Sequence, residues 1–399
     1  MESIANKVAI VGMGCTQFGE LWDKDPFDLV VDATYLAFED AGVGPKDIQA
    51  AWVGTQFSAN SGLSIAMPLQ LQYIPISRVE NNCATGIDAL RNAAFAVAAK
   101  AYDLVLVVGF EKYKDRGYAG TTVGGLPSDH YHPVQRYRPG GAGGPSGYAL
   151  SATRYFAKYG LSPEQGKTVL AKISVKSHYN GSRNPRAHLR REITLEQALN
   201  APMIAWPLGL FDCCGTSDGA AAAIICRPED ANSFRKDWVT FKGFGISVGA
   251  GQGDVTTEYD YTHWEETTRA SQQAYQQAGI TNPRKQLSLI ECHDCFSIAE
   301  LIAIESMAVS ELGKGWQDVE AGTFTQEGEI PVNLSGGLKS FGHPVGASGC
   351  RETYEIYKQL QGKAELPSRQ LENVDMGLVH NQGGGPGAFQ CGVAILGRP

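Results

Sequence analysis

Ala33-Thr34-Tyr35-Leu36-Ala37-Phe38-Glu39-Asp40-Ala41-Gly42-Val43 and Ala270-Ser271-Gln272-Gln273-Ala274-Tyr275-Gln276-Gln277-Ala278-Gly279-Ile280 read as one helix written twice. Each has small residues at its first, fifth and ninth positions, an aromatic at its sixth and a closing glycine. That is the wording of a helix with a small-residue face and a left-handed stop. Strand-like stretches follow at the same place, IQAAWVGT (48–55) and QLSLIECHD (286–294). Further on, Ala84-Thr85-Gly86 and Ala347-Ser348-Gly349 each open a helix. SDGAAAAIICRP (217–228) and GPGAFQCGVAILGRP (385–399) each put a small-residue strand after glycine. A-x-x-x-A-[FY]-x-x-A-G is common helix wording, which would cover the first match alone but not three matches in order. The pattern predicts a duplicated α/β chain of two βαβαβ-like halves, about 1–235 and 236–399. An irregular Gly-, Tyr- and Arg-rich insertion at about 113–206 is expected to cap a site or form a subunit interface.

Composition narrows the function. The 399 residues suffice for two packed units, and 43% hydrophobic with 19% charged residues is a globular balance. A net charge of −8 argues against nucleic acid as partner, because phosphate contacts need a basic face. No apolar run approaches the roughly 20 residues of a membrane span, and the start lacks a cleavable signal layout, so a cytoplasmic protein off the membrane is expected. Nine cysteines without framework spacing point to reduced thiols rather than a disulfide scaffold.

The chemistry concentrates in four motifs. Glu80-Asn81-Asn82-Cys83-Ala84-Thr85-Gly86 leads into an alanine-rich helix, which places Cys83 at a helix start, where N–H groups and the dipole favour a thiolate. Buried cysteine is also ordinary packing. Gly342-His343-Pro344-Val345-Gly346-Ala347-Ser348-Gly349 presents His343 from a rigid turn, and the repeat sets this turn opposite the Cys83 turn, bringing a base to a thiol. In Glu291-Cys292-His293-Asp294-Cys295-Phe296, a C-x-x-C could bind zinc or work as a redox pair. Zinc needs four ligands, no second C-x-x-C exists, and Cys213-Cys214 lacks the spacing. No metal is therefore expected, and His293 and Cys295 are expected to project from a strand end into the cleft. His380-Asn381-Gln382-Gly383-Gly384-Gly385 is either a plain glycine turn or a backbone donor to an oxyanion.

Together, N-N-C-A-T-G, H-D-C-F, G-H-P-V-G-A-S-G and H-N-Q-G-G-G, in this order, resemble the thiolase superfamily, from VAIVGMGCTQFGE (8–20) to the last strand. Within it the chain is most similar to the sterol-carrier-protein type, which carries H-D-C-F where other thiolases have N-E-A-F. The C-x-G cysteine of other thiolases falls here at Asn381, and the resemblance makes Cys295 its replacement. It implies the thiolase fold: two βαβαβαββ halves in five α-β-α-β-α layers, with an inserted loop domain. It also implies a ping-pong acyl-CoA C-acyltransferase that cleaves or makes a 3-oxoacyl-CoA with coenzyme A as substrate and no resident cofactor. Cys83 is then the nucleophile, His343 its activator and Cys295 the acid/base. His343 and a water near His293 would hold one oxyanion, and the N–H groups of Cys83 and Gly383, beside Asn381, the other.

NPRAHLRREITLEQAL (184–199) and PLGLFDCCGTSDGAAAA (207–223) resemble thiolases that work with a small zinc-ribbon/OB-fold subunit, including those acting on aromatic 3-oxoacyl-CoA such as benzoylsuccinyl-CoA. Arg183, Arg186 and Arg190 are either CoA phosphate ligands or a solvated helix face. At least a homodimer, paired through edge strands of the first half, is implied as well. Other readings are an acetoacetyl-CoA thiolase working beside a hydroxymethylglutaryl-CoA synthase, a synthase of related fold, and a non-catalytic acyl-CoA-binding scaffold.

Overall fold

The computed structural model describes residues 3–116, 144–255 and 258–399. Its strands are β1 (Ala9–Cys15), β2 (Ala50–Gly54), β3 (Ile76–Val79), β4 (Leu104–Glu111), β5 (Gly219–Cys226), β6 (Val239–Val248), β7 (Leu289–Cys292), β8 (Met376–Gly385) and β9 (Ala388–Gly397). They lie in the order β3-β2-β4-β5-β1-β6-β9-β8-β7. The first five strands and the last four repeat one order outward from the β1/β6 seam, related by a pseudo-twofold. β2 lies parallel to β3 and β4, as β7 lies parallel to β8. Outside β7, a single parallel bridge from Ile290 to Val332 stands where the fifth strand of the second half would be. The seam is narrow: only Ala9↔Thr240 and Ile10↔Val239 pair across it.

The main helices are α1 (Pro26–Ala41), α2 (Thr85–Ala98), α3 (Gly144–Tyr159), α4 (Pro163–Ser182), α5 (Glu265–Ala278), α6 (Ser297–Ser306) and α7 (Ser348–Gln361). The repeated helices are α1 and α5, and both stop at a glycine in the left-handed region, Gly42 and Gly279, each with φ 70°. Their alanines meet strand glycines. A Cβ on Gly14 would lie 2.2 Å from the Ala33 carbonyl oxygen, and one on Gly245 would lie 1.8 Å from that of Ala270. The duplication is thus a repeated helix-on-strand contact, which explains why alanine recurs at these positions.

Strand alternation builds the layers. In β4, Leu104, Leu106 and Val108 join an outer core with α1, while Val105 and Val107 face a middle core with α2 and α7. In β9, Ala394 and Leu396 line the other side of that middle core, and Val393 and Ile395 face outward with α5 and α6. The result is helix, sheet, helix, sheet, helix. Among the described residues no helix is long and apolar enough to cross a membrane.

The stretch at 113–206, expected to be irregular, differs where it is described. It holds α3, α4, a short helix at Leu195–Leu199 and the strand Met203–Ala205, which pairs with Leu208–Gly209 just beyond it; residues 117–143 lie outside the described residues. Capping boxes start two of these helices, Ser162 with Gln165 and Thr194 with Gln197. The glycines of α4 serve packing rather than chain reversal. A Cβ on Gly166 would enter the Phe156 ring, and one on Gly181 would strike Ser340.

Candidate active site

Cys83 sits in the turn between β3 and α2, two residues before the helix. The turn is braced from both sides. Thr85 Oγ1 accepts from Asn81 N (2.9 Å) and donates to the Asn82 carbonyl (2.5 Å). Asn82 itself has φ 49°, and its amide is clamped: Oδ1 accepts from Gln56 Nε2 (2.7 Å) and Nδ2 donates to Gln390 Oε1 (2.6 Å). From the other half, the backbone of Gly383 presses on the nucleophile turn, so close that a Cβ there would lie 2.6 Å from Cys83 N.

His343 comes from the turn before α7. Its Nδ1 is 2.7 Å from Ser348 Oγ, and Ser348 Oγ donates to the Pro344 carbonyl (3.1 Å). The serine proton is therefore spent, so Nδ1 carries hydrogen and Nε2 holds the lone pair. That Nε2 is buried with no hydrogen-bond partner among the described residues. Burial lowers the His343 pKa to about 3, with the Arg351 charge adding to the shift, so the ring is neutral near pH 7.

Cys83 Sγ and one ring nitrogen from each of His343 and His293 lie within 4.8 Å of one another. The two imidazoles meet edge-on with centroids 5.1 Å apart. It is the one group of three potential metal ligands among the described residues, and it combines an acid proton, a free lone pair and a second donor. The expectation of a lowered thiol pKa at Cys83 is corrected here: burial, then the Cys214 thiol and the Glu111 carboxylate, raise it. Desolvation outweighs the helix dipole. Ionisation then needs an acceptor at hand, and the free Nε2 of His343 is one.

His293 follows β7. Its Nδ1 faces Asn381 Nδ2 at 3.4 Å, which leaves hydrogen on Nε2, and burial followed by the neighbouring His343 and His380 holds its pKa well below the usual range. Asn381 thus stands beside His293, and its Oδ1 is buried without a partner among the described residues. His380 is committed elsewhere. It accepts at Nδ1 from His293 N (3.4 Å) and donates from Nε2 to Thr267 (3.1 Å).

The C-x-x-C cysteines part company. Cys292 lies in the outer core beside His380, whereas Cys295 faces Cys83 and the Tyr148 hydroxyl, with its pKa raised by burial. Cys214 is a residue that sequence reasoning passed over. Its N–H donates to the Cys295 carbonyl (2.9 Å), and burial, followed by the neighbouring Cys295, holds its pKa well above the usual thiol range. No spacing rule flags a Cys-Cys pair, so only the fold reveals this third thiol. Tyr148 was missed likewise; it stacks on Phe296 with centroids 4.5 Å apart.

The arginines divide. Arg186 is spent on Glu365 (2.6 Å) and the Cys15 carbonyl, which removes it as a phosphate ligand. Arg183 reaches the Ser368 carbonyl (2.8 Å) across Tyr179, and Arg190 the Pro185 carbonyl (3.3 Å), both at the exposed surface.

Comparison with known proteins identifies the family. Residues 8–229 match the family model described as thiolase, N-terminal domain, and residues 249–398 match thiolase C-terminal domain-like. An acetyl-CoA acetyltransferase of Methanothermobacter thermautotrophicus is 38% identical over 383 residues, 94% of this chain and 96% of that protein. The benzoylsuccinyl-CoA thiolase subunit BbsB of Thauera aromatica is 30% identical, covering 96% of each chain. A solved structure named as an Ltp2–ChsH2(DUF35) aldolase superposes with a TM-score of 0.85 at 25% identity, over 100% of this chain and 99% of that one. The chain belongs to the thiolase family, and its likeness to acetyl-CoA acetyltransferase and thiolase relatives makes it an acyltransferase.

Proposed function

We propose that this chain transfers acyl groups between a 3-oxoacyl-CoA and CoA through an acyl thioester on Cys83. The observation that carries the reading is the Cys83 thiol with one ring nitrogen each of His343 and His293, all within 4.8 Å, beside a His343 Nε2 that has no hydrogen-bond partner among the described residues. In thiolysis, His343 Nε2 takes the thiol proton as Cys83 Sγ attacks the 3-keto carbon. The carbon–carbon bond breaks, its electron pair passes into an enolate of the leaving acyl-CoA, and Cys295 protonates that carbon. Cys295 next takes the proton of incoming CoA, whose sulfur displaces the acyl group from Cys83, and the released Cys83 thiolate takes back the proton held on His343 Nε2. His293 Nε2–H, with a water, and His343 stabilise one oxyanion; the backbone N–H groups of Cys83 and Gly383, beside Asn381, stabilise the other. Claisen condensation is the same path reversed.

For the acyl group, the 38% identity to an archaeal acetyl-CoA acetyltransferase favours acetoacetyl-CoA. An aromatic 3-oxoacyl-CoA such as benzoylsuccinyl-CoA is the second reading, supported by the 30% identity to BbsB. The experiment is mass-mapped acylation of the protein by acetyl-CoA and by benzoylsuccinyl-CoA. An acyl group on Cys83 supports thiolase chemistry, and its source reports the substrate. No acylation from either would favour a scaffold, or an aldolase, the activity named for the structural relative.

We further propose assembly. The outer edge of β3 carries no strand among the described residues, and the exposed Leu63, Met67 and Tyr73 lie in the adjoining segment, an arrangement that suits a homodimer. A small zinc-ribbon/OB-fold subunit is proposed from the likeness to a structure named with a DUF35 chain. Its cations would join Arg183 and Arg190 in meeting the CoA phosphates of an acidic protein. All nine cysteines are free, which supports a reducing, cytoplasmic setting.

A further inference from the structure

Glu111, the last residue of β4, is fully buried, and five donors converge on it. Oε1 accepts from Thr55 Oγ1 (3.0 Å), Phe57 N (2.9 Å) and Ser58 Oγ (2.6 Å); Oε2 accepts from Gln56 N (2.9 Å) and Gly346 N (3.2 Å). Thr55 Oγ1 accepts from Ser58 N, and Ser58 Oγ from Lys112 N, so both hydroxyl protons point at Glu111. All five contacts are donors to an anion, the strong kind of hydrogen bond.

The donors come from two places that matter. Residues 55–58 are the loop after β2, and Gln56 Nε2 reaches from it to Asn82 Oδ1 (2.7 Å), next to Cys83. Gly346 belongs to the other half and to the loop that carries His343. It is wedged across the sheet ends, where a Cβ would lie 2.5 Å from the Gly54 carbonyl oxygen and 2.6 Å from that of Phe110. One carboxylate therefore ties the nucleophile turn, through Gln56, to the base loop, through Gly346.

We infer that Glu111 is a positioning residue, setting the Cys83–His343 geometry across the two halves by this double tie. The inference rests on the roles proposed above for Cys83 and His343. A thiol and a base supplied by different halves are only as well aligned as the link between those halves, and an error of about 1 Å can cost roughly a hundredfold in rate. The plainer possibility is a satisfied buried carboxylate that serves stability alone, and the two differ in what they leave untouched.

The test uses the full chain with Glu111→Gln, Gln56→Ala and the double variant. Glu111→Gln keeps the volume but turns an acceptor into an amide that opposes an N–H. It is expected to lower kcat about a hundredfold with KM for the acyl-CoA changed less than about twofold. Gln56→Ala alters no buried charge and cuts the arm to Asn82 together with a long contact from the Tyr113 hydroxyl (3.5 Å). It is expected to lower kcat about tenfold and to slow mass-mapped carbamidomethylation of Cys83 by iodoacetamide by a similar factor. In the double variant the Gln56→Ala loss should vanish, because the arm is already slack. Wild-type kcat and wild-type Cys83 alkylation in Gln56→Ala would overturn the inference, as would additive losses in the double variant. If Glu111→Gln fails to fold, Gln56→Ala decides. Alkylation needs no turnover, so an error here appears as unaltered variants, whereas an error in the thiolase reading appears as a wild-type chain that accepts no acyl group.

Discussion

The starts of α2 and α7 are copies of one backbone, and their equivalent hydroxyls, Thr85 and Ser348, have been put to different work. Thr85 donates back to Asn82 and braces the turn that holds a thiol. Ser348 donates back to Pro344 and accepts from His343, which fixes the tautomer of a base. A duplicated scaffold thus supplies two facing helix starts, and the chemistry arises from how the copies diverge. Across the pseudo-twofold the same holds of the loops after β2 and β7: one is a hub for Glu111, the other delivers His293 and Cys295.

The comparison can be broken most drastically at the thiol. Cys83→Ala should abolish acyl labelling and lower thiolysis at least about ten-thousandfold; labelling that maps to Cys214 or Cys295 would move the nucleophile elsewhere. Cys295→Ser should still accept an acyl group on Cys83 yet turn over about a hundredfold more slowly, the size of a general acid–base contribution. Single-turnover and steady-state rates measured side by side separate the two steps.

The paired hydroxyls give a finer cut. Ser348→Ala frees the His343 ring and should reduce kcat about tenfold with little change in melting temperature. Thr85→Ala should do the reverse, costing about 1 kcal/mol of stability with kcat nearly kept. Equal behaviour of the two variants would deny the division of labour.

The smallest effect at neutral pH is on stability. His178, His343 and His380 have pKa values lowered by burial to about 4, 3 and 3, and His293 lies well below the usual range. The unfolded chain binds these protons near pH 6.5 and the folded chain does not. Stability is therefore full above that pH and is lost as pH falls toward 4. Melting temperatures across this window should decline with net proton uptake on unfolding, and a flat profile would mean that these rings titrate normally.

Much of this was legible in the residues. The repeated alanines and terminal glycines gave away the duplication because each reports a close contact with a strand. Cys83, His343 and His293 were legible because glycine and proline flank them and helices or strands end beside them. Glu111 was not, since the last residue of a strand carries no mark of the five donors that fold onto it from distant segments. Tyr148 and Cys214 were hidden for the same reason. α4 was obscured by glycines that break helices in general but here make room for Phe156 and Ser340; its Ser162/Gln165 capping box was the signal to have used. The thiol pKa was misjudged because a helix start is visible in sequence and desolvation is not.

At the point where α2 and α7 cross, a Cβ on Gly86 would lie 2.9 Å from Gly349 N, and one on Gly349 would lie 2.4 Å from Ile87 N. Neither position can accept a side chain without prising the two helices apart. The crossing of the two helices is consequently closed to substitution, and a change of acyl group must be written in residues elsewhere in the chain.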